Sequence, residues 1–194
     1  MNMPQELNEK EKKFLLALAR KAITEHLKSN RKIDVKPGDV PGKRLTEDGA
    51  CFVTLRIGKA KELRGCIGTL EAHRPLVMDV IDNALSSAFG DPRFGEVRPE
   101  EMKEITISIS VLTKPEPFPV SGPDDLLKKL IPNKHGLILK QGWARATFLP
   151  AVWEELPDKK EFLSHLSMKA GLSPDGWKDP KTEFEVYEAE EFSE

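Results

Sequence analysis

Between Asn8 and about Leu27 apolar side chains recur at helical spacing, with Phe14, Leu15, Leu18 and Ala22 forming one stripe in a run rich in Lys and Glu. Asn8 is placed to cap the first turn and Glu11, three residues later, to return the bond, so a helix is predicted over about 8–28. The following "SNRKIDVKPGDVPGKRL" is charged and broken by prolines and glycines, which predicts a long surface connection. The main body is expected over about 45–194.

The pattern then changes period. "ACFVTLRI" at 50–57 alternates and is rich in strand formers, "GKAKE" reads as a turn, and "LRGCIGTL" reads as the returning strand of a hairpin. Pro75 suits the start of a second helix running to about Phe89, with Leu76, Val77, Val80, Ile81, Ala84, Leu85 and Ala88 facing inward and Gly90 ending it. "EITISISVL" places Ile105, Ile107, Ile109 and Val111 on one strand face. Further along come a short helix at "PDDLLKKLI" and a hairpin at "HGLILKQGWARATFL" turning near Gly142. A helix from about Lys159 to Ala170, capped by Asp158 and closed by Gly171, and a final strand at "TEFEVYEAEEF" complete the pattern. Hairpins and helices without a βαβ rhythm predict an α+β fold with a mainly antiparallel sheet and flanking helices.

Composition narrows the function. Thirty basic against thirty-two acidic residues leave a formal charge of −2, which gives no general field toward nucleic acid or an anionic membrane. No apolar run approaches the length of a membrane span, and the N-terminus lacks the apolar stretch of a signal peptide, so a cytoplasmic protein is expected. Two cysteines make neither a disulfide framework nor a zinc site, and both are expected as thiols. No spacing marks a metal cluster or a phosphate loop, so no cofactor is expected.

The candidate chemistry lies in "LRGCIG" at 63–68. Alternation puts Leu63, Gly65 and Ile67 on the core face with Val53, Leu55 and Ile57, and Arg64 and Cys66 together on the other face. A fixed guanidinium beside a thiol favours the thiolate, while Gly65 and Gly68 leave room for a ligand or another backbone. The opposing reading makes Cys66 a small apolar filler, as free cysteines often are. Cys51, on the core face, is expected to be structural. A nucleophilic thiol needs a base, and His26, His73, His135 and His165 are the candidates, of which His73 and His135 are placed at the binding rim. "DPRF" reads either as a turn tied to its helix end, with Phe94 plugging the core, or as Asp91 and Arg93 facing a ligand. Trp143, Trp153 and Trp177 read as packing residues.

"LRGCIGTL" with "FVTL", "DPRF", "ISVL", "HGLIL", "LP" at 149–150, "FL" at 162–163 and "KAGL" at 169–172 resembles the AMMECR family from about Leu7 to the C-terminus. The resemblance implies a single α+β domain, residues 1–194, of two unequal lobes with the signature strand near the cleft between them. It establishes no reaction. It implies a role in a basic process such as transcription, translation or repair, or a pathway shared with Memo-like and radical-SAM proteins. Two departures stand out: Ala151 replaces the glutamine of the family's "LPQV", and Ser167 replaces a cysteine two residues before the lysine of "KAGL". Two functions remain open: a ligand-binding protein or cysteine-dependent enzyme built on Cys66 and Arg64, and a non-catalytic adaptor for another protein.

Overall fold

The computed structural model describes residues 6–194. Along them run α1 (Glu9–Ser29), β1 (Ala50–Ile57), β2 (Glu62–Gly68), α2 (Leu76–Phe89), β3 (Ile105–Leu112), β4 (Glu116–Pro117) and α3 (Pro123–Lys129). β5 (Gly136–Gln141), β6 (Ala144–Phe148), α4 (Lys159–Lys169), β7 (Glu183–Tyr187) and β8 (Ala189–Ser193) follow. The α+β expectation holds, with two antiparallel sheets ordered β2-β1-β3-β8 and β4-β7-β5-β6. The chain forms two compact units, residues up to Leu112 with Glu190–Glu194, and Thr113–Ala189.

In the first unit the start of α1 is closed by the expected reciprocal cap. Asn8 accepts the N–H groups of Lys10 and Glu11, and the Glu11 carboxylate accepts the N–H of Asn8, satisfying donors that the first helical turn leaves over. α1 packs on α2 and β3, and α2 on β1 and β2. Leu15, Ile23, Val53, Leu55, Val80, Ile81, Ile107 and Ile109 form the wholly buried centre of that core. Leu45, at the end of the long connection after α1, is buried with them and anchors it.

The β1–β2 register places Val53 opposite Ile67, Thr54 opposite Cys66 and Leu55 opposite Gly65. Arg56 then opposes Leu63, leaving Arg64 as the extra residue of a bulge. Leu63 was expected in the core. The bulge turns it toward the face of Arg56 instead, where it is 37% exposed.

In the second unit Trp153 stacks on Phe162 at 3.7 Å between ring centroids, with Leu126, Leu139, Leu166, Trp177 and Phe184 around them. Trp143 departs from its expected packing role: it follows Gly142, whose φ of 57° turns the β5–β6 hairpin, and its side chain is fully exposed. The terminal strand is in fact two strands in different sheets. Glu188 separates them, its N–H donating to Thr113 Oγ1 and its carbonyl accepting the N–H of Thr113. The alternation of Phe184 and Val186 with acids breaks at Tyr187, which is buried directly after Val186, one residue before the change of sheet.

Candidate functional site

β2 is the edge strand of its sheet, so one row of its backbone groups lacks a strand partner. At Cys66 the "DPRF" turn covers that row. Asp91 Oδ2 accepts the Cys66 N–H at 2.9 Å, and Arg93 Nη2 lies 3.4 Å from the Cys66 carbonyl oxygen. Asp91 and Arg93 also bind each other through two side-chain hydrogen bonds, of 2.7 and 3.0 Å. Arg93 first, and the Cys66 N–H after the opposing effect of burial, hold the Asp91 carboxyl well below the usual range. Arg93 is raised, chiefly by Asp91 and to a smaller degree by the charge of Cys66. Phe94 is half-buried beneath the Arg93 guanidinium instead of plugging the core, and Val97 is the buried residue of this segment.

The Cys66 thiol itself is half-buried, and Thr54 Oγ1 donates to its sulfur at 3.3 Å. Arg64 does not reach it. From the bulge its guanidinium makes a two-pronged pair with Glu101, at 2.7 and 3.1 Å, and donates to the carbonyls of Gly95 and Glu96. That partner set lowers Glu101 to about 2, Arg64 being the largest cause. The guanidinium beside Cys66 is therefore that of Arg93.

The two glycines do not open space at the strand. A Cβ on Gly65 would fall 2.1 Å from the carbonyl oxygen of Ser87 in α2, and one on Gly68 would fall 2.2 Å from Cγ of Phe52. Gly65 lets the helix backbone touch the strand, and Gly68 accommodates an aromatic ring.

Sequence reasoning missed the polar stripe on the buried side of α2. Asp79, Asn83 and Ser87 recur every four residues and are all buried. Ser87 Oγ accepts the Ile67 N–H and donates to the Val53 carbonyl, bridging two opposed strand residues. Asp79 Oδ2 accepts the N–H of Cys51 and the hydroxyl of Thr69, and its other oxygen accepts from Arg74. Asn83 donates to the Cys51 carbonyl. The period-four spacing of Asp, Asn and Ser within an apolar helix was the available signal.

The remaining candidates have other partners. His73 is exposed, its Nδ1 2.9 Å from the Glu71 carbonyl. His135 belongs to the second unit, where its Nδ1 accepts the Ile131 N–H and its carbonyl accepts Trp153 Nε1; burial is the main cause of its lowered pKa. Cys51 is fully buried, and burial first, then Asp79, pushes its thiol well up. Among the described residues no group of three His, Cys, Asp or Glu side chains could hold a metal ion.

The AMMECR1 family model matches residues 16–192, which takes in this strand, the turn that covers it and the helix behind it. The chain belongs to the AMMECR1 family. Protein MK0488 of Methanopyrus kandleri is 45% identical over 194 residues, covering 99% of this chain and 92% of that protein. A protein of Methanothermobacter thermautotrophicus is 42% identical over 189 residues, with 97% and 96% covered. The crystal structure of uncharacterized protein PH0010 from Pyrococcus horikoshii superposes with a TM-score of 0.90 at 38% identity, covering 97% of this chain and 93% of that one.

Where this AMMECR1 chain has Ser167, the hydroxyl is buried, donates to the Leu163 carbonyl and accepts the Trp177 N–H. Its work there is to join α4 to the segment before β7. Among the described residues no helix is long and apolar enough to cross a membrane.

Proposed function

We propose that this protein binds a small molecule at the outward side of the β2 strand, with Cys66 as the group that meets it, either as a contact or as a nucleophile. One observation carries the reading: the half-buried sulfur receives a hydroxyl hydrogen bond from Thr54. Arg93 adds a positive charge nearby, and Asp91 fixes the strand that presents the thiol. His73 and His135 have no part in this reading. Two free thiols suit a reducing, cytoplasmic setting, and Memo-like and radical-SAM proteins are the pathway partners that the family resemblance suggests.

The test is a panel of small electrophiles applied to the native protein, with adducts mapped by mass spectrometry. Adducts should collect on Cys66, spare Cys51 and disappear in Cys66→Ser. Equal labelling of both thiols, or none on Cys66, overturns the reading.

A second reading, a non-catalytic adaptor, is favoured by Trp143. A fully exposed tryptophan at a hairpin tip suits an anchor for a protein partner. On that reading Trp143→Ala abolishes partner capture and Cys66→Ser leaves it intact.

A further inference from the structure

The sheet face that carries Cys66 bears hydroxyls. Ile105, Ile107, Ile109 and Val111 of β3 belong to the core, so alternation places Ser108 and Ser110 on the opposite face. Ser108 opposes Thr54, which opposes Cys66, while Ser110 opposes Phe52, which opposes Gly68. Directly opposed residues hold their Cβ atoms about 4.5–5.5 Å apart. Two transverse rows result, Cys66–Thr54–Ser108 and Gly68–Phe52–Ser110, separated along the strands by about 6.8 Å.

Ser108 and Ser110 are only 8% and 6% exposed, and neither hydroxyl has a hydrogen-bond partner among the described residues. Buried hydroxyls are ordinarily satisfied. Serving only the fold, such a group turns onto a strand carbonyl, as Ser87 does toward Val53 and Thr147 toward Leu137. Neither serine oxygen is fully sealed from solvent. The ring of Phe52 lies over Gly68, beside the thiol row. None of the residues that these rows take from β1, β2 and β3 is charged.

We infer that Thr54, Ser108 and Ser110 form the hydroxyl wall of a site for an uncharged, polyhydroxylated ligand, a sugar or the sugar of a nucleoside, lying against Phe52 with Cys66 at its edge. The inference rests on the reading of Cys66 as a ligand contact and adds the ligand's class. A hydroxyl both donates and accepts, so three of them pair with ligand hydroxyls in either sense. Over the two serines an anion would be desolvated with no cation of these rows to meet it; Arg93 stands only at the Cys66 end. The aromatic ring gives the apolar face of a sugar, or a base, a surface to lie on.

The experiment follows alkylation of Cys66 by iodoacetamide in the native full chain, with ribose, adenosine or inorganic phosphate as competitor. Ribose or adenosine should slow the reaction saturably, by at least about fivefold, and phosphate should not. Protection by ribose alone marks a free sugar, and protection by adenosine at a tenfold lower concentration marks a nucleoside. A Ser108→Ala/Ser110→Ala variant, shown folded by its cooperative melt, should need at least about fivefold more competitor for the same protection. Reactive Cys66 that no neutral competitor protects, protection by phosphate, or undiminished protection in the double variant overturns this inference and leaves the site reading standing. A Cys66 that resists alkylation altogether sinks both.

Discussion

Asp91 accepts the backbone N–H of Cys66 at 2.9 Å, so a carboxylate does at the open edge of β2 what a neighbouring strand would otherwise do. With Arg93 near the carbonyl of the same residue, the turn engages both backbone groups of Cys66 and fixes the direction of its thiol.

Asp91→Ala should therefore loosen the thiol-bearing strand. It leaves the Cys66 N–H without its acceptor and releases Arg93, for an expected loss of about 1–3 kcal/mol. Urea unfolding measures the loss, and hydrogen exchange should show faster exchange of the Cys66 amide with little change at Ile107.

Gly65→Ala should be worse tolerated than substitution of a surface glycine such as Gly95, where an added Cβ meets nothing within 4 Å. At Gly65 the methyl meets the Ser87 carbonyl, a backbone atom of a packed helix. Overpacking of this kind costs about 1–3 kcal/mol or more. Comparison of the two variants by thermal unfolding checks it.

Ser87→Ala should destabilise the first unit by about 1–3 kcal/mol although it deletes a single oxygen, because the Ile67 N–H and the Val53 carbonyl both lose their partner. Chemical denaturation gives the size of the effect.

Acid should reveal the Arg64–Glu101 pair. Glu101 ionises near 2 in the native protein against 4.5 for a free side chain. A depressed carboxyl contributes stability that is complete above about pH 4.5 and is lost as the pH falls toward 2. Glu101→Gln should therefore be less stable than the parent at pH 7, with the gap closing between pH 4.5 and 2. A constant gap in urea midpoints across that window would contradict the assignment.

Much of the fold was legible because periodicity reports on one face at a time. The Asn8–Glu11 box, the apolar side of α2 and the alternation of β3 all followed from local spacing, and so did the burial of Cys51 on the face away from Cys66. What failed depended on events between segments. The bulge at Arg64 shifts the register by one residue and exposes Leu63, and no residue type near it announces that shift. Arg64 found Glu101 thirty-seven positions away, a distance over which spacing carries no information. The replacement cation, Arg93, was named from its turn, but its approach to Cys66 depends on how α2 returns the chain to the sheet edge. Asp79, Asn83 and Ser87 were visible as an odd polar stripe in an apolar helix, and their purpose appears only when the strand groups they satisfy are in place.

The account depends on Cys66 being presented to solvent in the folded protein while Cys51 is not. The most direct measurement is the second-order rate of iodoacetamide reaction at each thiol in the native state, resolved by mass spectrometry. Cys66 should react at least about tenfold faster than Cys51, with Cys51 reacting fully only after unfolding. Equal, slow rates at both thiols would contradict the claim.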